Sequence, residues 1–317
     1  MGGRLPVRRD GGAPLSRRAV LTMLAAGAAS TAAGRAPGQP APAIVLRPIP
    51  STGETISAVG LGTWRTFDVG GSATEREPLR DVLRQFVALG GRVVDSSPMY
   101  GAAETVVGDL AAALGILDSL FLATKVWTTG RQAGVAGMER SLRRLRVKRL
   151  DLLQVHNLVD WRTQLRTLRA WKEAGRIRYL GVTHYVASAY PELERVMRDE
   201  PLDFVQLNYS LAEREAERRL LPLARERGIA VLVNRPFAEG ALFRRVQGRV
   251  LPPWAADIDC ASWGQFFLKW ILAHPAVSCV IPATSKPAHV IDNMRAGAGA
   301  LPDAATRARM ITYLETR

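Results

Sequence analysis

Four side chains in the first half of the chain, Asp95, Tyr100, Lys125 and His156, are of the types needed to hand a proton to a developing alkoxide. A phenol with an ordinary pKa near ~10 is a weak acid at neutral pH, and a neighbouring cation stabilises its ionised form. Lys125 can supply that cation, and a carboxylate at Asp95 would hold the ammonium in place and keep it charged. His156 adds a hydrogen-bond donor for a substrate oxygen. Together the four suit protonation of a carbonyl oxygen whose carbon has accepted hydride. Each alone has a plainer use, since an Asp can cap a helix, a Lys can lay its stem on apolar surface, and a lone His is more often structural. The chemistry needs no metal, and the four histidines of the chain are scattered rather than grouped as ligands.

What gives the four weight is the set of elements that must carry them. After residue 50 the sequence repeats a short apolar run followed by an amphipathic helix. The strands expected are Val59–Leu61, Val93–Asp95, Leu120–Lys125, Leu150–His156, Tyr179–Thr183, Phe204–Asn208, Ala230–Asn234 and Cys279–Pro282. Runs such as LFLAT and LDLLQV show no polar alternation, as parallel strands covered on both faces require. Val106, Val107, Leu110 and Leu114 share one helical face, and Gly90, Gly115, Gly175 and Gly228 stand where helices end. Strand starts recur about every 25–30 residues, the length of one βα unit. The exception is Arg235 to Ala261, which reads as a long loop between the seventh strand and its helix. The expected fold is α/β, a (β/α)8 TIM barrel. An open doubly wound sheet is excluded, because no G-x-G-x-x-G follows the first strand.

Barrel enzymes keep their chemistry at the C-terminal ends of the strands. Those ends carry Asp95 with Tyr100 just beyond, then Lys125, His156, Thr183 with His184, and Gln206 with Asn208. The blocks GRVVDSSPMYG, LFLATKV and LDLLQVHN, in this order and on these strands, resemble the blocks that carry the catalytic tetrad of the aldo-keto reductase family. The resemblance runs from about Val59 to Gly297. It implies Tyr100 as general acid-base, Lys125 and Asp95 as the pair that tunes it, and His156 as the residue that orients the carbonyl.

The resemblance also implies a nicotinamide cofactor. In LGVTHY, Thr183 and His184 stand where two polar residues hold the carboxamide, and in FVQLNYS Gln206 lies under the same ring. Asn234, followed by Arg235, takes the place of an aromatic residue that stacks on nicotinamide. IPATSKPAHVIDN is similar to the segment that grips the adenosine phosphates, with Thr284, Ser285 and Lys286 beside a helix expected to begin near Pro287. Asn293 matches the residue that contacts adenine, and His289 replaces an arginine that pairs with the 2′-phosphate, a weaker and conditional cation for which Lys286 can compensate; NADPH is the favoured cofactor and NADH the alternative. Trp64 and Trp127 are expected to wall the substrate pocket. A long C-terminal extension is not expected after the last helix near Thr306–Leu314, which leaves a more open pocket tolerant of many aldehydes.

Ahead of the barrel, Ser16-Arg17-Arg18 precedes an uncharged, alanine-rich run from Ala19 to Gly34. This resembles a twin-arginine export signal, with Val20 where that motif usually has phenylalanine, Leu21 at its apolar position, and a small-x-small site at Ala41-Pro42-Ala43. The run is too short for a stable membrane span. The expected organisation is therefore a signal and linker over residues 1–43 and a barrel domain over 44–317. The expected partners are the export machinery and a small carbonyl compound, with a periplasmic or exported location and the cytoplasm as the alternative. Residues 1–43 hold six arginines and one aspartate, so +9 of the formal charge of +14 belongs to the barrel. The densest cluster there, Arg143, Arg144, Arg146, Lys148 and Arg149, sits at a helix end, where cations complement the dipole. No aromatic residues interleave with it, which excludes a nucleic-acid platform. Two cysteines, Cys260 and Cys279, are too few for a disulfide framework. The activity expected is NAD(P)H-dependent reduction of an aldehyde or ketone. The alternative is a binding subunit that retains cofactor for redox sensing or regulation and turns over little.

Overall fold

The computed structural model describes residues 1–2 and 44–316, so the export-type segment and its small-x-small site lie outside the described residues. The described chain opens with a hairpin, β1 (Leu46–Pro48) and β2 (Thr55–Ser57), paired antiparallel. Eight parallel strands follow: β3 (Leu61–Gly62), β4 (Val93–Asp95), β5 (Phe121–Val126), β6 (Leu150–His156), β7 (Ile177–His184), β8 (Phe204–Asn208), β9 (Ala230–Asn234) and β10 (Val277–Val280). They pair in sequence order. The ring is closed by parallel bridges of Val59 to Val280 and Gly62 to Ala283. Backbone bonds from Gly60 N–H to the Val280 carbonyl, 2.8 Å, and from Gly62 N–H to the Pro282 carbonyl, 3.1 Å, join the two edges. The fold is the (β/α)8 barrel the strand spacing implies.

The helices around it are α1 (Ala73–Ala88), α2 (Ala103–Leu114), α3 (Arg131–Arg144), α4 (Trp161–Glu173), α5 (Tyr190–Asp199), α6 (Leu220–Arg227), α7 (Ala241–Arg245), α8 (Trp263–Leu272), α9 (Pro287–Ala296) and α10 (Ala304–Glu315). α1 begins at a capping box, Ser72 accepting from the Glu75 N–H while its hydroxyl meets the Glu75 carboxylate. Gly115 and Gly228 end α2 and α6 in the left-handed conformation that glycine adopts without strain. Several boundaries differ from the sequence expectation: β5 is shifted by one residue, β7 is longer at both ends, and β10 begins two residues earlier, at Val277, and ends at Val280. The first strand begins later, at Leu61, because Val59 pairs with the last strand only as an isolated bridge. The long segment from Arg235 to Ala261 is not structureless, since it contains α7 and a 3₁₀ turn over Pro253–Ile258.

Two apolar cores result. The outer one lies between strands and helices and includes Leu79, Val82 and Phe86 of α1 and Val106, Val107 and Leu110 of α2. The inner one fills the barrel from below with Val93, Phe121, Ala123, Leu152, Tyr179, Phe204, Ala230 and Leu232, and the hairpin adds Ile49 and Ile56. That hairpin was not expected from the sequence. Its floor is fastened by Tyr179, whose hydroxyl donates to Glu54 at 2.6 Å.

Strand alternation explains how the barrel presents its chemistry. Side chains two apart on a strand share a face. Inward residues are apolar low in the barrel and polar at its C-terminal end: Val93 then Asp95, Phe121 and Ala123 then Lys125, Leu152 then Gln154 and His156, Tyr179 then Thr183, Phe204 then Gln206, Leu232 then Asn234. Between Tyr179 and Thr183 stands Gly181, where an added Cβ would lie 2.6 Å from the Phe204 carbonyl oxygen. Because that neighbour is backbone, Gly181→Ala must push β7 and β8 apart. We expect it to lower stability by about 1–3 kcal/mol, read as a drop in the urea midpoint at unchanged slope.

Candidate active site

At the C-terminal end of the barrel a buried ion pair organises its surroundings. The Lys125 Nζ donates to Asp95 Oδ2 at 2.7 Å and to the Ser96 carbonyl at 2.7 Å. The second carboxylate oxygen of Asp95 accepts from Gln206 Nε2 at 2.8 Å and from Gln154 Nε2 at 3.4 Å. Lys125 and Asp95 are 1% and 3% exposed, which makes this pair an interior one. Burial works against the charge on Lys125. The attraction of Asp95 and of the Tyr100 phenol outweighs it and holds the ammonium above its ordinary pKa.

Tyr100 reaches the pair from the loop after β4. Its N–H bonds the Ser97 carbonyl at 3.0 Å, and its own carbonyl accepts from Ala103 at 3.1 Å as α2 begins. The next residue, Gly101, has φ +58 and lies so close to Asp68 that a Cβ would overlap the carboxylate. Asp68 in turn accepts the Ala102 N–H at 2.9 Å, satisfying a donor at a helix start that has no side-chain cap. A tight, glycine-dependent turn thus delivers the phenol. Lys125 Nζ lies 4.9 Å from the centre of the Tyr100 ring, and the His156 ring meets that ring edge-on at 6.0 Å.

The electrostatic balance on Tyr100 corrects a simple expectation. Burial is the largest influence and raises the phenol above its ordinary value. Lys125 pulls it down, Asp95 pushes it up, and the net direction is upward. The cation therefore limits the rise rather than making the phenol strongly acidic, and Tyr100 keeps its proton at neutral pH. His156 is pushed down to about 2 by burial, by the Lys125 charge and by His184, so its imidazole is neutral.

The nicotinamide-side candidates split into two groups. Thr183 Oγ1 donates to Gln206 Oε1 at 3.4 Å and Asn234 Nδ2 reaches the same oxygen at 3.5 Å. Gln206 thereby links Asp95 to Thr183 and Asn234, a role in the ion-pair network beyond the ring contact expected of it. His184 turns its Nδ1 to the Val186 N–H at 3.1 Å, and its ring stacks on Tyr185 at 6.0 Å. Arg235, at φ +49, is drawn to the Tyr185 carbonyl at 3.5 Å and the Glu239 carboxylate at 3.5 Å. Thr284, Ser285, Lys286, His289 and Asn293 lie on the loop after β10 and on α9. Among the described residues they make no hydrogen bond to the ion-pair network. Thr284 accepts the Lys286 N–H at 3.0 Å, Ser285, Lys286 and His289 are exposed, and Asn293 is buried. Trp64 and Trp127 are 38% and 48% exposed on the loops above β3 and β5. Met99, Tyr185 and Val186 join them as exposed apolar residues on strand-end loops, and the sequence reading did not single these out. It also missed Gln154, two residues before His156 on the same strand face, and Ser97, whose partner is 59 residues away in sequence.

Comparison with known proteins places the fold in a family. Residues 58–308 match the sequence model of the Aldo/keto reductase family. The methylglyoxal reductase YeaE of Escherichia coli is 30% identical over 246 residues, covering 75% of this chain and 84% of that one. A solved aldo/keto reductase of Klebsiella pneumoniae in complex with NADP and acetate superposes with a TM-score of 0.69 at 26% identity, covering 83% of this chain and 92% of that one. A second structure from the same organism, in complex with NADPH, gives 0.71 at 25% identity, covering 87% and 96%. The fold and the family match define a carbonyl oxidoreductase built on a barrel. The chain belongs to the aldo/keto reductase family, and its activity is NAD(P)H-dependent carbonyl reduction.

The ion pair makes a sharp prediction. Lys125→Met leaves a buried carboxylate without its cation and should cost about 3–5 kcal/mol. Adding Asp95→Asn should recover a large part of that loss. Strict additivity of the two changes in denaturant melts would show that the pair is not coupled.

Proposed function

We propose that Tyr100 is the proton donor of this reductase, that Lys125 and Asp95 hold it in working condition, and that His156 orients the substrate carbonyl. The observation that carries the reading is the Lys125 ammonium, fixed at 2.7 Å by Asp95 and lying 4.9 Å from the Tyr100 ring with His156 at the ring's edge. Burial keeps the phenol protonated, which is the form a donor needs. The ammonium stabilises the phenolate left behind once the proton has moved to the alkoxide. The neutral His156 donates a hydrogen bond to the same oxygen and gathers its charge. A buried ion pair aimed at a phenol favours turnover over the alternative of a binding subunit.

The residues fit a nicotinamide cofactor. Asn234 Oδ1 is buried with no hydrogen-bond partner, an acceptor suited to a carboxamide N–H. Thr183, His184 and Gln206 stand with it as the candidates for holding the ring, and Arg235 flanks them. When bound, the cofactor supplies the hydride taken up by the carbonyl carbon. Thr284, Ser285, Lys286 and the start of α9 are assigned to the phosphates, Asn293 to adenine, and His289 with Lys286 to the 2′-phosphate. NADPH is the cofactor proposed, in line with the NADP and NADPH complexes of the two Klebsiella relatives. Trp64 and Trp127 wall an open pocket that admits small carbonyl compounds, as the methylglyoxal reductase named above does in its own case.

We also propose that residues 1–43 are an export signal and linker ahead of a barrel domain over 44–317, on the strength of Arg17-Arg18 and the alanine-rich run behind them. Among the described residues no helix is long and apolar enough to cross a membrane. Replacing Arg17 and Arg18 together by lysine should abolish export while leaving reductase activity in the cell extract. Undiminished export on fractionation would overturn the signal assignment.

Two kinetic outcomes test the mechanism. Tyr100→Phe should lower kcat/KM for a reactive aldehyde by roughly 10²–10⁴-fold while NADPH still binds, followed by quenching of intrinsic fluorescence. With the phenol raised and His156 pushed down to about 2, reductive kcat/KM should be level through the neutral range and fall only at high pH as the phenol loses its proton. An activity titration in the ordinary imidazole range would contradict a neutral His156.

A further inference from the structure

We propose that Ser97 is a positioning residue for the reduction: its hydroxyl locks His156 in the tautomer that presents Nε2–H to the carbonyl oxygen. The proposal rests on the role given to His156 above and extends it to a residue outside the tetrad. A neutral imidazole carries a single ring proton, and the bond made by one nitrogen decides which nitrogen bears it. If that proton sat on Nδ1, the nitrogen facing the cleft would be a lone pair and would repel a carbonyl oxygen.

The hydrogen bonds around Ser97 decide between the two forms. Ser97 is fully buried, and its Oγ lies 3.2 Å from His156 Nδ1. The same Oγ accepts the Met99 N–H at 3.4 Å. His156 Nδ1 is the acceptor available to the hydroxyl proton of Ser97 among the described residues. Were Nδ1 protonated, Oγ would face two donors and its own proton would be sealed from water without a partner, which is unfavourable for a buried polar group. The satisfied arrangement has Ser97 O–H donating to Nδ1, which leaves the ring proton on Nε2. The charged and titratable groups around the ring are Lys125 from β5, His184 from β7, and Tyr100 from the loop after β4. Burial, Lys125 and His184 all oppose a second ring proton.

Ser97 also organises the turn that delivers the acid, since its carbonyl takes the Tyr100 N–H at 3.0 Å. One residue thereby ties both groups meant to meet the substrate oxygen to a common point, Tyr100 through its backbone and His156 through its side chain. The backbone half of that function survives any substitution other than one that breaks the turn. The side-chain half is removed by Ser97→Ala.

The test is a long-range ¹H–¹⁵N correlation spectrum of the full-length protein labelled at its histidine rings, with His156 assigned by its loss in His156→Gln. Wild type should show a protonated Nε2 and a pyridine-like Nδ1. In Ser97→Ala that pattern should be lost, kcat should fall roughly tenfold at little change in cofactor KM, and Ser97→Thr should restore the wild-type tautomer and most of kcat. A protonated Nδ1 in wild type would overturn the proposal with no variant needed. So would a Ser97→Ala protein whose tautomer and kcat match wild type. A fully active Tyr100→Phe enzyme would instead remove the mechanism on which the proposal rests, a separable outcome.

Discussion

The Lys125–Asp95 ion pair is the constraint around which the upper barrel is arranged. Two opposite charges at the centre of a closed sheet are costly to desolvate, and their mutual attraction offsets this only when the remaining donors and acceptors are satisfied. Here they are met closely. The ammonium has a second acceptor in the Ser96 carbonyl, and the carboxylate has two amide donors in Gln206 and Gln154. A hydrophobic pair would fill the same volume with less desolvation. On the proposed mechanism, the charged pair at the strand ends serves chemistry rather than stability.

That arrangement follows from a simple rule of strand geometry. On each strand the inward positions change from apolar to polar as the chain climbs, so one repeated pattern builds both the inner core and the site above it. The hairpin that seals the floor with Ile49 and Ile56 lets the lower barrel be dry, and the dry floor is what makes the charges above it matter. The loops absorb the irregular backbone. Asn157 and Leu158, just after His156, and Arg235, just after Asn234, all have positive φ, a conformation costly for residues with side chains and typical of loops around functional sites.

Much of this was legible in the chain itself. β4, β6, β8 and β9 occupy the residues their apolar runs mark, because strands covered on both faces leave an unbroken signal. Asp95 and Lys125, which the structure joins, were readable from their places at strand ends, as were Tyr100 and His156 beside them. The hairpin was not, since β1 and β2 are three residues each and carry no period. Ser97 was not, because its significance lies in a contact with His156 across two strands. The direction of the Tyr100 shift was hidden for a third reason. Residue types give the sign of each neighbour's charge, but the depth of burial, which proves the largest influence, is a property of the assembled barrel.

The link through Gln206 joins the two halves of the site. Its amide nitrogen supports Asp95, and its oxygen receives Thr183 and Asn234, so groups assigned to the cofactor and groups assigned to the proton share one hydrogen-bonded chain. On the proposed mechanism, the field on Tyr100 also bears on direction. A phenol raised by burial is poised as an acid at neutral pH, the state that carbonyl reduction consumes. Alcohol oxidation would need the phenolate, whose charge the same burial disfavours. Lys125 keeps that penalty small enough for the proton to leave and return, which is why the cation must be held permanently charged by Asp95 rather than left to titrate alone in the barrel.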